Sequence, residues 1–145
     1  MFIKTTRFGE VEIDENRTIH FSEGLIGFPD DKKYVILEHK ANSPFMWLQS
    51  LTSPQLAFVI MNPFPVCPDY LKDLSPEDEI SINPDSNKTV MVFTIVTIPH
   101  GKADESTVNL MGPVIIDPDA KVGKQIILAN YEYSHRHPLT LKSGK

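Results

Sequence analysis

The run Lys88–Ile98, KTVMVFTIVTI, limits what this chain can fold into more than any other stretch. Its β-branched residues favour extended backbone. In a strand, Val90, Val92, Val96 and Ile98 share one side, while Met91, Phe93 and Ile95 share the other. A strand with two apolar faces must be covered on both, which places it in the middle of a closed or sandwiched sheet. Leu56–Met61, LAFVIM, is apolar at every position and makes the same demand.

The rest of the chain reads as β as well. Gly9–Asp14 alternates, with Val11 and Ile13 on one face and carboxylates on the other, the pattern of a half-buried strand. It follows Phe2–Thr6 across a short turn, so an opening hairpin is expected. Thr18–Phe21, Tyr34–Leu37, Phe45–Gln49, Thr107–Leu110, Val114–Ile116 and Gln125–Leu128 are further strand candidates. The 12 prolines punctuate these runs, and proline is disfavoured inside helices and central strands. The one helix signal is Ser75-Pro76-Glu77-Asp78-Glu79: a capping serine, proline in the first turn, and acids where the helix dipole favours them. The expected fold class is all-β, a compact β-barrel-like single domain with one or two short helices. Closure into a barrel removes free strand edges. The domain is expected over residues 1–137, and the polar end, residues 138–145, is expected to fray as a flexible tail.

GLIGFPD, residues 24–30, superficially resembles a phosphate loop, but a phosphate loop opens a helix and supplies Lys followed by Ser or Thr. Here Asp30 and Asp31 follow the second glycine and would repel phosphate, and a strand comes next. The glycines therefore serve a tight bend.

The 145 residues suffice for one domain with its own core, and 41% hydrophobic with 23% charged residues is ordinary for a globular protein. The single cysteine, Cys67, excludes an intrachain disulfide. No long apolar segment suggests a leader or a membrane span, so a cytoplasmic location is expected. Net charge is −5, from 14 basic and 19 acidic residues, and there is no basic stripe of the kind that supplies nucleic-acid affinity. Acids cluster instead at Asp30-Asp31, Glu77–Glu79, Asp104-Glu105 and Asp117/Asp119. Such a surface steers a basic partner toward it.

No active site assembles from the sequence. Pro65-Val66-Cys67-Pro68 offers the thiol no neighbouring base. His135 and His137 flank Arg136 and could share a strand face, but a zinc site needs further protein ligands. Ser50, Ser53 and Ser106 lack a nucleophile elbow. No catalytic, metal or cofactor-binding residue is assigned, and no cofactor is expected. The structural rival is a small OB-like barrel binding single-stranded nucleic acid through Phe45, Trp47 and Tyr70.

GLIGFPD at 24–30, PFMWLQS at 44–50, LAFVIMNP at 56–63, PDY at 68–70, VFTIVTIP at 92–99, TVNLMGP at 107–113 and GKQIIL at 123–128 occur in an order and spacing that closely resembles the flagellar assembly factor FliW family. The resemblance covers nearly the whole chain. One departure stands at Asn62, where many members carry an acidic residue before the proline. The resemblance implies a non-enzymatic cytoplasmic protein with a β-barrel-like fold and two protein partners. These are flagellin and CsrA, the RNA-binding regulator that represses flagellin translation; neither nucleic acid nor membrane is contacted directly, and a monomer is expected. Flagellin would occupy the protein before export. Once flagellin leaves, the protein would bind CsrA and relieve repression, through a contact away from the RNA groove. For the contact itself the candidates are Glu77, Asp78 and Glu79 around the short helix, and Asp104, Glu105 and Asn109 near the sheet end. Asn109, between Val108 and Leu110, reads equally as a hydrogen-bonded structural residue.

Overall fold

The structure is a computed structural model and describes residues 1–38, 43–72, 75–83, 89–128 and 133–139. Its strands are β1 (Phe2–Thr5), β2 (Gly9–Glu12), β3 (Ile19–His20), β4 (Lys33–Leu37), β5 (Phe45–Ser50) and β6 (Ala57–Met61). They continue with β7 (Met91–Thr97), β8 (Thr107–Val108), β9 (Val114–Asp117), β10 (Val122–Gln125) and β11 (His137–Pro138). The one α-helix among the described residues is α1 (Pro76–Ile82), and short 3-10 turns occur at Glu15–Arg17 and Ala103–Glu105. No helix among the described residues is long and apolar enough to cross a membrane.

β3, β4, β5, β6, β7, β9 and β10 pair in that order, and β10 returns to β3, closing a 7-strand barrel. An odd ring cannot alternate direction throughout. The odd step is the parallel β10–β3 pair, which is registered only through Val122 and His20. All other pairs are antiparallel.

The two-faced strands divide their side chains between separate cores. Phe58 and Ile60 of β6 and Phe93 and Ile95 of β7 point into the barrel with Ile19, Phe21, Leu25, Tyr34, Leu48, Val114 and Ile116. Val59 and Met61 of β6, and Val92 and Val96 of β7, face a second core outside the barrel wall, with Tyr70, Ile82, Val108, Leu110, Leu128 and Leu139. The expected double-sided burial of these strands holds at their centres; Met91 and Ile98 are 40% and 42% exposed where the wall ends. Lys88 lies outside the described residues. The β1–β2 hairpin covers another outer flank, packing Ile3 and Ile13 on Val35 of β4.

The glycine bend plugs one end of the barrel. Leu25 sits in the interior at 1% exposure, and Gly24 adopts φ +66°, where a Cβ would stand 2.3 Å from the Phe28 carbonyl oxygen. The bend is tied to β10 by Gln125, whose Oε1 accepts from the Ile26 N–H at 3.0 Å while its Nε2 donates to the Gly112 carbonyl at 2.9 Å. This is the fold role assigned to GLIGFPD from its sequence.

Several expected strands are found shorter, and two differences have a clear physical cause. The strand expected at Gln125–Leu128 is found at Val122–Gln125, where Gly123 lets the wall close on the Phe21 ring; a Cβ there would lie 2.5 Å from it. The order expected to stop at residue 137 continues to Leu139: β11 pairs with β8, and Leu139 is 2% exposed in the second core. The remaining tail, 140–145, lies outside the described residues.

Candidate protein-binding surface

α1 is built as its sequence suggests. The Ser75 hydroxyl oxygen accepts the Asp78 N–H at 3.1 Å, Pro76 opens the first turn, and three acids follow. Its two sides differ sharply. Ile82 and Asp78, four residues apart and therefore on one face, are 7% and 5% exposed. Glu77, Glu79 and Ile80 face outward, Ile80 at 64% exposure. Asp78 is thus corrected from an exposed contact residue to part of the packed side; the outward acids of α1 are Glu77 and Glu79.

Asp104 and Glu105 occupy the 3-10 turn in the β7–β8 connection, both exposed. The Glu105 carboxylate lies 3.8 Å from the Lys102 ammonium, an exposed pair worth little by itself. Asn109 is half-buried, and its Oδ1 accepts the Met111 and Gly112 N–H groups at 3.1 and 2.9 Å. Its amide oxygen is therefore committed to the turn into β9, the structural one of its two readings. α1 is anchored in the second core and the acidic turn leaves the end of β7, so the two acidic segments stand on different elements.

The residues weighed for chemistry are dispersed. Among the described residues no three His, Cys, Asp or Glu side chains gather as a metal site. Cys67 is half-buried against the second core, and His137 lies in β11, paired with Val108 of β8. Ser50 donates to Asp31 Oδ2 at 2.6 Å and Thr52 to the same oxygen at 3.3 Å. The Ser50 hydroxyl and then that of Ser53 hold the Asp31 carboxyl below its ordinary range against the opposing effect of burial, with a lesser contribution from Thr52. A lowered carboxyl is a poor proton donor at neutral pH.

Tyr34 lies fully buried in the barrel, its pKa pushed up to about 12 by burial and then by the Asp31 charge. Tyr70 is likewise raised, chiefly by burial, and its hydroxyl donates to the Leu110 carbonyl. The three aromatics of the nucleic-acid alternative form no common platform. Tyr70 is 2% exposed, Phe45 packs on the second core, and Trp47 stands on the outer wall against Phe8 and Arg7.

Three hollows accompany these surfaces. A cleft of about 440 Å³ lies beside the end of α1, between Ile82, Val90, Ile115 and Lys124. A wider one of about 740 Å³ opens at the barrel mouth over Ile36, Met46 and Phe93, with Asn62 on its rim. Asn62 Oδ1 accepts the Phe64 N–H at 2.9 Å, a turn-forming bond that an aspartate could also make. The third, by Trp47, measures about 780 Å³.

A family model described as the FliW protein matches residues 2–139. The chain belongs to the FliW family. It is 41% identical over 144 residues to the flagellar assembly factor FliW of Natranaerobius thermophilus, with 99% of this chain and 95% of that protein aligned. To the protein of that name from Magnetococcus marinus it is 40% identical over 139 residues, covering 96% of this chain and 85% of the relative. A crystal structure of the flagellar assembly factor FliW superimposes with a TM-score of 0.83 at 32% identity, over 99% of both chains. FliW membership accounts for the mostly β barrel with its short helix. The relatives are named flagellar assembly factors, a name that describes an assembly role rather than a reaction.

Proposed function

We propose that this FliW chain is a cytoplasmic, monomeric partner switch that binds flagellin and, when released from it, binds and antagonises CsrA. The observation that carries the reading is the outward face of α1. Glu77 and Glu79 flank the exposed Ile80 on a helix pinned from beneath by Ile82. An apolar side chain ringed by charge on a rigid support is the usual build of a contact centre with a steering rim. A regulator that holds RNA needs a basic surface, and a chain of net charge −5 is matched to one. Asp104 and Glu105 extend the acidic surface from a second element.

Capture of CsrA beside its RNA groove makes the antagonism a coupling free energy: RNA and this protein each lower the other's affinity. A tenfold effect requires only about 1.4 kcal/mol. Calorimetric titration of the purified chain with CsrA, followed by competition with flagellin, tests the switch. The expected result is stoichiometric CsrA binding that flagellin abolishes. A ternary complex, or no CsrA binding at low salt where charge attraction is strongest, would refute it.

A further inference from the structure

The groove beside Trp47 differs from every other hollow described above. β6 and β7 are registered at Met61–Thr94, Ile60–Ile95 and Val59–Val96, and there the ladder stops. β7 continues to Thr97 by pairing with Thr107 of β8, while Ala57 and Phe58 remain paired with β5 alone. Two neighbouring strands of the wall therefore part. The Ser50 N–H donates to the Leu56 carbonyl, so in this antiparallel register Phe58 bonds toward β5, and the Ala57 N–H and C=O face the vacated side with no strand partner there among the described residues. The opening between them is the groove of about 780 Å³, walled by Trp47, Val59, Val96 and Ile98, with Arg7 and His100 at its rim.

Among its described lining residues there is no carboxylate, in a chain with 19 of them. Asp104 and Glu105, in the same connection as His100, stay outside the lining. The Arg7 guanidinium lies over the indole, 4.2 Å from the ring centroid, while Phe8 meets that ring edge-on at 5.6 Å. Stacking uses the face of the guanidinium and leaves its in-plane N–H fork able to donate to a carboxylate in bidentate fashion.

We infer that this fork between β6 and β7 binds an extended apolar peptide segment carrying a carboxylate. Its backbone pairs as an added strand with the N–H and C=O of Ala57, alternate side chains enter the Trp47–Ile98 groove, and the carboxylate meets Arg7. Strand addition supplies affinity through main-chain hydrogen bonds, and the pocket and the cation supply selectivity. The site is independent of the acidic surface on α1 and takes a partner of opposite charge.

Trp47 is the only tryptophan, so its emission reports this groove alone. A bead-displayed library of random heptapeptides with free C-termini is selected on the full chain, and the enriched peptides are titrated by tryptophan fluorescence. The expected result is enrichment of peptides with apolar residues at alternate positions and an acidic group at one end, binding with a shift in Trp47 emission. Arg7→Gln should weaken them roughly tenfold, as loss of a charge-assisted pair does, and Arg7→Lys should recover part of the loss. Ile98→Asp, which places a carboxylate in the groove, should abolish binding; the thermal transitions of Arg7→Gln and Arg7→Lys should match that of the parent. No enrichment, enriched peptides without an acid, indifference to both Arg7→Gln and Ile98→Asp, or displacement by oligouridylate would each overturn the assignment. CsrA binding by the same variants, which leave Glu77 and Glu79 untouched, separates this outcome from the fate of the partner switch.

Discussion

Gly24 and Gly27 both bend the same loop, yet their surroundings differ. Gly24 combines φ +66° with a Cβ position 2.3 Å from a backbone oxygen, whereas a Cβ on Gly27, at φ +90°, meets nothing within 4 Å. Gly24→Ala should therefore carry backbone strain and a clash, destabilising the protein by about 3 kcal/mol or more in urea unfolding. Gly27→Ala should lose only about 1–2 kcal/mol of conformational strain. Equal losses would show that the loop relaxes freely. Asp31 makes a pH prediction. Its carboxyl is lowered in the folded state, so the stability it contributes is complete above the ordinary value of 3.8 and is lost as pH falls through the folded value. Replacing it as Asp31→Asn should flatten the acid limb of the stability curve below about pH 4; a parent-like acid limb in this variant would deny it the role.

At the scale of elements, α1 joins stability to recognition. Ser75→Ala removes the cap on the Asp78 N–H and should cost about 1 kcal/mol, read from the urea midpoint. Glu77→Lys with Glu79→Lys should lower that midpoint modestly, because two exposed first-turn acids that favour the helix dipole are reversed, and should slow association with CsrA severalfold at low salt. An unaltered association rate would move the contact to another element. How well each element could be read in advance follows its physics. β4 to β7 were legible because apolar residues mark their buried faces, and β6 and β7 showed two such faces. α1 was legible from its cap and proline. β10 was not: Val-Gly-Lys-Gln has no apolar period, and it is a strand because Gly123 admits the Phe21 ring. β11 consists of His137 and Pro138, which carry no strand signal and are held by pairing with Val108 and Thr107. Within the candidate site, the acid cluster was visible, but the inward turn of Asp78 depends on which face Ile82 anchors. The parting of β6 from β7 lay hidden, since Ala57–Phe58 and Thr97–Ile98 read as ordinary strand.

For the whole molecule, barrel closure rests on unequal seams. β5 and β6 share five registered pairs, Phe45–Met61 through Gln49–Ala57, whereas β10 and β3 share only Val122–His20. Native-state hydrogen exchange should find the His20 amide, which donates to the Lys121 carbonyl at 2.9 Å, opening well before the amides of β5 and β6. Uniform protection around the ring would mean that the barrel opens only as one unit. The shared wall of β6 and β7 has a further consequence in time. Every staple of the inner compartment is in place by Gln125, but the outer compartment is sealed by Leu128, Tyr133 and Leu139. A chain made from its amino end can close the ring while that flank still lies bare. Leu128, Tyr133 and Leu139 are then the late stitches that finish the coat.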